Sequence, residues 1–384
     1  MKVVFISNYL NHHQLPLSKS MIENDIEYYF IATEPIPDEQ KSLGYSDMNH
    51  SYDFVVCSYE SEENKKKALE LCLDADVVIH GSAPEYYLKE RLKKGKLTFR
   101  YSERIYKQKK PFYLMHLVAL KRFWQCGRHK SMYLLCSSAY TSGDYAKTGT
   151  FLNKAYKWGY FPEVKKYDDF ENLLSCKKNN TLLWVARLIE LKHPEVPIEI
   201  ARRLKYEGID FQLNIIGNGK LENELKNLII NYDLKNNVRM LGSMSPEKVR
   251  EYMEESEIFM FTSDRNEGWG AVLNESMNSG CAVVASHIIG SVPFLIKDGE
   301  NGLIYRDGDI DDLYNKVKFL LNNKDKRAEM GRKAYETLIN EWNAENAADK
   351  FIKLAEEILK GEKKPNLFDD SVCSKSPILK DGWF

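Results

Sequence analysis

The 384-residue sequence lacks the features that mark disulfide-rich, zinc-binding and membrane-spanning proteins. Its seven cysteines form no Cys-x-x-Cys pair, and no group of cysteines and histidines has the spacing of metal ligands. No apolar run reaches the roughly 18 residues needed to cross a bilayer, and the run after Met1 is too short for a signal peptide. These absences predict a reduced, cytoplasmic protein with neither a disulfide framework nor a metal site.

The net charge of -1 gives the whole chain no preference for nucleic acid, but the charges are unevenly distributed. Residues 86–130 contain 14 Lys and Arg against two acids, Glu90 and Glu103, with aromatic residues between them. Cations interleaved with aromatics suit an anionic membrane surface, so a peripheral position at the inner face of the cell membrane is one interpretation. RNA is a competing partner, although no RNA-binding motif occurs. A merely solvated face is the third interpretation.

Short apolar runs alternate with longer amphipathic stretches, which is typical of βα units in a parallel sheet. Strands are expected at residues 3–7, 28–32, 53–57, 75–80 and 133–137, and then at 181–186, 212–216, 238–241, 258–261 and 282–285, with a short strand after the turn at 298–302. We therefore predict an α/β chain with one Rossmann-like domain at 1–160 and a second one at 179–340. A hinge at 161–178, a closing helix at 341–362 and a tail at 363–384 complete the division.

Two cations follow the first strand of the second half. Arg187 comes directly after the strand, and Lys192 lies five residues further on. Open α/β sheets bind ligands beyond the carboxyl ends of their strands, and a pair of cations there suits a diphosphate. Surface charge on a loop is the alternative, and it would be preferred if this pair stood alone.

A short glycine motif follows the next strand, in Ile-Ile-Gly217-Asn-Gly219. Both glycines permit a tight strand-to-helix turn with positive φ and a close approach of the backbone to a ligand. Plain turn chemistry explains the motif equally well.

The most specific motif is Glu267-Gly-Trp-Gly-Ala-Val-Leu-Asn-Glu275, after the strand at 258–261. A helix is expected to begin near Ala271, so its first amides would face an anion. Glu267 lies in the loop and Glu275 about one turn inside the helix, so the two carboxylates can bind different parts of one ligand. Carboxylates readily accept hydrogen bonds from sugar and ribose hydroxyls. The helix dipole alone would also favour acids here.

The region from about residue 181 to 320 resembles the donor domain of glycosyltransferase family 4, retaining enzymes of the GT-B architecture, with two Rossmann-like domains facing a cleft. The resemblance rests on the three motifs above, on Leu-Gly-Ser-Met-Ser-Pro-Glu and on Asp-Gly-Glu-Asn-Gly-Leu. It implies a nucleoside-diphosphate sugar, such as a UDP-sugar, as the donor, bound by the domain at 179–340, and an acceptor bound by the domain at 1–160. The implied donor contacts are the diphosphate for Arg187 and Lys192, the transferred sugar for Glu267, Gly268, Trp269, Gly270, Ala271 and Val272, and the ribose for Glu275, with Gly217 beside them.

Two departures from the family pattern affect local contacts. Gly290-Ser-Val-Pro-Phe294 stands where the family usually has Gly-Gly-x-x-Glu. The first loop, Asn8-Tyr-Leu-Asn-His-His-Gln14, replaces a Gly-Gly loop and looks like a branch associated with surface-polysaccharide synthesis.

The function that follows is transfer of a hexose-type sugar to a glycan or lipid-linked acceptor, with retention implied by the resemblance. Fixed cations can stabilise the leaving diphosphate, so no metal is expected to be required. Two other functions stay open: a nucleotide-sugar epimerase of GT-B build, and a non-catalytic donor-binding partner in a polysaccharide assembly complex.

Candidate residues of the first half are less distinctive. His80 ends a predicted strand and is a candidate for contacting a sugar hydroxyl or the leaving phosphate, with a structural histidine as the equal alternative. His12 and His13 lie in the first loop and could contact phosphate, acceptor or solvent. In Phe99–Arg104, the charged side chains form either an acceptor-recognition cluster or an ion-pair network.

Overall fold

The structure is a computed structural model that describes residues 1–38, 46–107 and 112–384. The chain divides into two compact units. Unit 1 contains Met1–Glu163 and Trp342–Trp383, and unit 2 contains Val164–Glu341 with Phe384. Within the described residues, no helix is long and apolar enough to cross a membrane.

Unit 1 is built on a seven-stranded parallel sheet of order β3-β2-β1-β4-β5-β6-β7. The strands are β1 Lys2–Ser7, β2 Glu27–Ala32, β3 Val55–Cys57, β4 Val77–His80, β5 Thr98–Ser102, β6 Met132–Cys136 and β7 Ala155–Lys157. Its helices are α1 Leu15–Glu23, α2 Glu62–Asp74, α3 Lys89–Lys93, α4 Phe112–Arg122, α5 Thr141–Ala146 and, from the end of the chain, α14 Ala344–Leu359.

Helix α14 packs on unit 1 because its apolar face continues the core of that sheet. Phe351 lies 5.0 Å from the ring of Phe99 and 5.7 Å from that of Trp158, and all three are at most 1% exposed. Burial of three large aromatic side chains contributes strongly to the stability of the unit. The chain therefore returns to its first unit after completing the second.

The last residues form a strap along β7. The amides of Cys373 and Ser376 donate to the carbonyls of Lys157 and Ala155 at 2.9 and 3.0 Å, and Lys157 N–H donates to the Ser374 carbonyl at 2.8 Å. Val372, next to this pairing, is 0% exposed. This strap, residues 363–384, covers the outer edge of β7 with hydrogen bonds that a bare edge strand would leave unmade.

Unit 2 contains a six-stranded parallel sheet of order β10-β9-β8-β11-β12-β13. The strands are β8 Thr181–Val185, β9 Gln212–Ile216, β10 Val238–Met240, β11 Ile258–Phe261, β12 Ala282–Ser286 and β13 Leu303–Tyr305. The helices are α6 Phe170–Ser175, α7 Glu195–Tyr206, α8 Glu222–Asn231, α9 Pro246–Glu255, α10 Val272–Asn278, α11 Val292–Leu295, α12 Ile310–Asn322 and α13 Lys324–Asn340. Two Rossmann-like sheets confirm the predicted fold class, and every strand predicted from the sequence is present within two residues of its expected bounds.

The segment 161–178 was expected to form a hinge. It contains α6, and the Phe170 side chain at the start of this helix packs within unit 2. The Phe170 ring stacks on Tyr335 of α13 at 3.8 Å with an interplanar angle of 11°. The segment from Val164 onward therefore belongs to unit 2 by its contacts.

Candidate active site

The strand order of unit 2 places a topological switch point between β8 and β11, the central pair of the sheet. Chain connections leave these two strands in opposite directions, so the loops beyond their carboxyl ends diverge and leave a crevice. Arg187 and Lys192 follow β8, and Glu267 and Glu275 follow β11. The fold thus brings the two most specific sequence motifs to the same edge of the sheet.

Lys192 and Glu267 form an ion pair across this switch point. The ammonium of Lys192 contacts Oε2 of Glu267, and the two side chains are 15% and 13% exposed. Ser263 Oγ also donates to Glu267 Oε2 at 3.0 Å. The carboxylate is therefore held by two donors, one charged and one neutral, in a partly buried setting where such contacts are stronger than in water.

The loops that carry this pair are tied together below it. Thr262 Oγ1 donates to the Lys192 carbonyl at 2.8 Å and accepts from the indole N–H of Trp184 at 2.9 Å. The Asp264 amide donates to the Leu191 carbonyl at 2.9 Å. These bonds fix the backbone of both loops, so the ion pair sits on a rigid base.

Gly217 and Gly219 have a packing role that the sequence did not reveal. At φ of 139° and 155°, both occupy backbone conformations that residues with a Cβ rarely adopt. A Cβ on Gly217 would overlap the carbonyl of Ala186, and one on Gly219 would overlap that of Leu188. The glycines let the loop after β9 press against the loop that carries Arg187, whose side chain is exposed. A direct donor contact by Gly217 stays a prediction.

Helix α10 has only seven residues and begins at Val272, one residue after the expected start. Glu275 lies in its first turn, and burial raises the pKa of its carboxyl to about 7, with Arg250 acting in the opposite direction. A carboxyl of this kind changes charge near neutral pH, so its interaction with a ligand depends on pH.

Trp269, in the centre of the motif, is 0% exposed. Its indole N–H donates to Asn274 Oδ1 at 2.9 Å, and its carbonyl accepts from Ser291 Oγ at 2.6 Å. If Trp269 contacts the nucleotide-sugar, the contact would therefore have to come from its backbone amide. Ser291 is one of the two residues, with Phe294, that depart from the family pattern, and here it anchors the loop containing Gly268, Gly270 and Ala271.

Two other motifs of the resemblance serve the fold. Ser245 caps α9 by accepting from the Lys248 amide at 3.4 Å. In the Asp298–Gly302 turn, Asp298 accepts from the Ile304 amide at 2.7 Å and Asn301 Nδ2 donates to the Leu295 carbonyl at 2.9 Å. These hydrogen bonds stabilise a helix end and a turn. They account for the residue types in both motifs without a ligand contact.

His80 lies at the end of β4 in unit 1 and is 0% exposed. Arg100 Nη1 donates to its Nδ1 at 2.7 Å, and the same guanidinium pairs with Glu85. Burial and the Arg100 charge hold the pKa of His80 well below its usual range, so the ring is neutral. The structure shows His80 as a partner of a buried arginine, while its catalytic role stays a prediction.

The other charges of Phe99–Arg104 pair separately. Arg104 lies 3.5 Å from Asp144 and 2.8 Å from Asp381, whereas Glu103 pairs with Lys107 and accepts from the hydroxyl of Tyr160. These contacts favour the ion-pair interpretation. Arg100, Glu103 and Arg104 each have their own partners, so the ion pairs form three separate sets and not one network.

His12 and His13 border a cavity of about 140 Å³ that is also lined by Tyr9, Ile36 and Met48. Burial lowers the pKa of His12 to about 4, and burial together with His12 lowers that of His13 well below its usual range. Both rings are neutral at physiological pH, so they can hydrogen-bond hydroxyls but supply no positive charge to a phosphate.

A larger cavity, of about 190 Å³, lies at the opposite edge of the unit 2 sheet. Its lining includes Thr181 and Gln212, the first residues of β8 and β9, together with Arg239 and Lys248. This cavity therefore lies at the amino ends of the strands, whereas the switch point lies beyond their carboxyl ends. We place the candidate active site at the switch point.

The structure brings together three side chains of types that can ligate a metal, a grouping that sequence spacing did not suggest. His50, Cys57 and Glu60 have ligand atoms within 4.8 Å of one another. His50 Nε2 already contacts Glu60 Oε1 at 2.6 Å, and its Nδ1 lies 3.3 Å from Asp47. These contacts satisfy the imidazole within the chain and raise its pKa.

Comparison with known proteins agrees with this geometry. Residues 165–337 match the family described as Glycosyl transferases group 1, a segment that contains the Lys192–Glu267 pair and the whole unit 2 sheet. These residues belong to the glycosyl transferases group 1 family. The resemblance found in the sequence between residues 181 and 320 is thereby confirmed and extended on both sides.

Curated relatives that match about a third of this chain include two bacterial glycosyltransferases. The amylovoran biosynthesis glycosyltransferase AmsK of Erwinia amylovora is 38% identical over 133 residues, covering 33% of this chain and 32% of the relative. The putative colanic acid biosynthesis glycosyltransferase WcaL of Salmonella typhimurium is 31% identical over 133 residues, with the same coverage of 33% and 32%. The chain spans about a third of the length of these curated relatives.

Solved structures match over nearly the whole chain. Alr3699/HepE of Anabaena, crystallised with UDP, has a TM-score of 0.67 and covers 94% of this chain and 99% of its own, at 14% identity. At this identity the likeness shows the fold alone. The fold of the group 1 domain and of unit 1 is the GT-B architecture.

Proposed function

We propose that the protein is a retaining hexosyltransferase that transfers a hexose-type sugar from a nucleoside-diphosphate sugar to a glycan or lipid-linked acceptor. The observation that carries this proposal is the Lys192–Glu267 pair at the switch point of a group 1 domain. One side chain matches a phosphate and the other matches sugar hydroxyls, and both are held on fixed loops.

The roles proposed for the site residues are those that the family resemblance implies, and they agree with the chemistry of the side chains. Arg187 and Lys192 bind the diphosphate and stabilise the charge that develops on it as the anomeric bond breaks. Glu267 accepts hydroxyl hydrogen bonds from the transferred sugar, and Glu275 accepts them from the ribose. Each charge-assisted contact contributes about 1.5–3 kcal/mol. Amides of residues 268–272 lie between the two carboxylates along the chain, which suits the sugar and phosphate oxygens.

In the proposed reaction an acceptor hydroxyl oxygen forms a bond to the anomeric carbon while the bond to the diphosphate oxygen breaks. The hydroxyl proton passes to the leaving phosphate on the same face of the sugar, which retains the anomeric configuration. His80 is a candidate for assisting this departure. The two cations carry the electrostatic work that a divalent ion does elsewhere, so we propose that transfer is metal-independent.

The names of similar proteins support a more specific assignment. HepE was crystallised with UDP, and AmsK and WcaL are named for amylovoran and colanic acid biosynthesis. We therefore propose a UDP-sugar as donor and cell-surface polysaccharide or glycoconjugate synthesis as the process. An anionic membrane surface is the proposed second partner, with a peripheral position at the inner face of the cell membrane, and nucleic acid is not one.

Release of nucleoside diphosphate from a panel of nucleotide-sugars, with and without a lipid-linked or glycan acceptor fraction, tests the proposal. Wild-type protein should release nucleotide in an acceptor-dependent manner, and Glu267→Ala and Arg187→Ala should reduce release at least 100-fold while remaining folded. Near-normal transfer by both variants would refute the site assignment. Epimerised donor in the absence of acceptor would indicate an epimerase, and donor binding without release under any condition would indicate a non-catalytic partner.

A further inference from the structure

The basic stretch at residues 86–130 is less uniform in the structure than in the sequence. Arg91 is 1% exposed and donates to four backbone carbonyls and to Thr98, and Arg100 and Arg104 are 5% and 3% exposed. Lys93 pairs with Glu90, and Lys107 with Glu103. Many of the cations in residues 86–107 are therefore buried in unit 1 or paired with acids. Lys109 and Lys110 lie outside the described residues.

The second part of the stretch has a different character. Helix α4, Phe112–Arg122, continues into a π-helical turn, Phe123–Gly127. Four large apolar side chains of this segment lie in solvent: Leu117, Leu120, Phe123 and Trp124 are 62%, 56%, 45% and 56% exposed. We call these four residues the exposed apolar face.

Helical spacing makes the exposed apolar face continuous. Leu117, Leu120 and Trp124 are three and then four residues apart, which places them on one side of a helix, with Phe123 beside Trp124. On the other side Cys126 is 1% exposed. Large exposed apolar side chains concentrated in eight residues mark an interaction surface and not ordinary scatter.

Positive charges border this face without acidic neighbours in the sequence. Lys121, Arg128 and Lys130 are exposed, and the Arg128 guanidinium lies 5.0 Å from the ring of Trp124. No Asp or Glu occurs between Glu103 and Asp144. In the part of the chain that the structure describes, none of these three cations is paired with a carboxylate.

We propose that the exposed apolar face and the cations Lys121, Arg128 and Lys130 insert together into the surface of a bilayer that contains anionic lipid. This narrows the membrane partner proposed above to one face of sixteen residues, Phe112–Gly127, and its cationic border. Apolar side chains enter the acyl boundary, a tryptophan sits at the headgroup level, and the long cationic side chains reach the phosphates.

Charge and length decide between a bilayer and a protein partner. The segment has sixteen residues, Lys121 and Arg122 among them, whereas a spanning helix needs roughly 20 predominantly apolar ones, so it lies in the interface plane. Each basic residue near an anionic surface strengthens partitioning about fivefold, and three such residues on one border favour an extended sheet of negative charge. An acidic protein would need matching carboxylates at all of these positions.

Co-sedimentation of the full chain with vesicles tests the proposal, using phosphatidylcholine alone and phosphatidylcholine with 30% phosphatidylglycerol. We expect binding to the anionic vesicles at least 10-fold tighter than to neutral ones, and weaker binding at high salt. Leu120→Ser/Trp124→Ser should lose at least 10-fold, and Lys121→Glu/Arg128→Glu should lose more than 10-fold on anionic vesicles alone. The matched control is Tyr206→Ser/Ile230→Ser, which removes side chains that are 90% and 53% exposed in unit 2.

Fluorescence identifies the inserting side chain. Trp158, Trp184, Trp269 and Trp342 are at most 2% exposed, and the half-buried Trp383 donates its indole N–H to the Tyr140 hydroxyl at 2.8 Å. Quenching by brominated acyl chains should therefore come mainly from Trp124 and fall to the level of the other five tryptophans in Trp124→Phe. Equal vesicle binding by wild type and both double variants, or no vesicle binding by folded wild-type protein, would overturn the proposal. The proposal rests on the proposed function, in which the membrane is a second partner of the transferase. The vesicle assay contains no nucleotide-sugar, and Lys192→Ala should bind vesicles as wild type does, so failure of vesicle binding and failure of sugar transfer can be told apart.

Discussion

Lys192 and Glu267 are 75 residues apart in the chain, and their side chains meet at the switch point of the unit 2 sheet. The family resemblance implies that each binds a different part of one donor, the diphosphate for Lys192 and the transferred sugar for Glu267. In the free protein they neutralise each other. The contact uses Oε2 of Glu267 and one N–H of the Lys192 ammonium, so Oε1 and the other N–H groups can bind a donor.

The pair should be worth more than a surface ion pair. Lys192→Ala leaves a carboxylate that is 13% exposed with Ser263 as its remaining described donor, and we expect the free energy of unfolding to fall by about 1–3 kcal/mol. The double variant Lys192→Ala/Glu267→Gln should recover part of that loss, because no buried charge is then unpaired. Urea unfolding of wild type, Lys192→Ala, Glu267→Gln and the double variant gives the coupling free energy between the two side chains.

Lys220→Ala is the control for this cycle. Lys220 pairs with Glu190, but these side chains are 63% and 66% exposed. Its effect should stay under about 0.5 kcal/mol. Strictly additive effects of Lys192→Ala and Glu267→Gln would contradict the account of the pair.

Glu275 should make the stability of the free protein depend on pH. Burial raises its pKa from 4.5 to about 7, so the folded state keeps the proton where the unfolded state has lost it. Its contribution to stability is fully present below pH 4.5 and is lost as the pH rises through 7. Glu275→Gln lacks this titration, so its Tm relative to wild type should increase from pH 5 to pH 8.

Thermal unfolding across this pH range measures the difference, with Glu224→Gln as the control because Glu224 is exposed on α8. The control difference should stay flat. A flat difference for Glu275→Gln as well would show that the carboxyl is not desolvated.

Gly217 should not tolerate a side chain. Gly217→Ala places a Cβ against the Ala186 carbonyl in an unfavourable φ region, and we expect a loss of about 3 kcal/mol or more, together with displacement of Arg187. Gly208→Ala separates strain from overlap, because Gly208 has φ of +71° with nothing near its Cβ position, and should cost about 1 kcal/mol. Equal losses in urea unfolding would argue against the overlap.

The strap at residues 363–384 should be needed for the stability of unit 1. Val372→Asp places a charge at a position that is 0% exposed, next to the strap–β7 pairing. We expect a loss of at least about 2 kcal/mol and greater aggregation, since the edge of β7 becomes available. Glu362→Ala, at an exposed position before the strap, is the control, and a comparable effect of both changes would contradict this role.

The strands could be predicted from the sequence because most of them are apolar runs buried on both faces of a parallel sheet. Strands β5 and β7 were missed for identifiable reasons. β5 carries Arg100, whose guanidinium contacts His80 and Glu85 from other parts of the chain, and β7 has three residues and is completed by the strap. The strap itself has no periodic pattern, because it pairs along one edge and buries few side chains.

The candidate site could be predicted as a list of residues but not as an arrangement. Spacing located Glu267, Glu275, Arg187 and Lys192, yet it gave no sign that Lys192 contacts Glu267 or that Gly217 serves packing. The burial of His80 against Arg100 was equally hidden, because the sequence places them on different strands and shows neither burial nor register. Tertiary contacts of this kind depend on strand order, which local patterns do not encode.

The most direct test of the central claim is isothermal titration of UDP and a panel of UDP-hexoses into wild type, Lys192→Ala and Glu267→Gln. We predict that wild type binds at least one UDP-hexose more tightly than UDP. Lys192→Ala should weaken both ligands by at least 10-fold, whereas Glu267→Gln should weaken only the UDP-hexose, to the level of UDP. Unchanged binding of both ligands by both variants would contradict the assignment of this pair to a nucleotide-sugar donor.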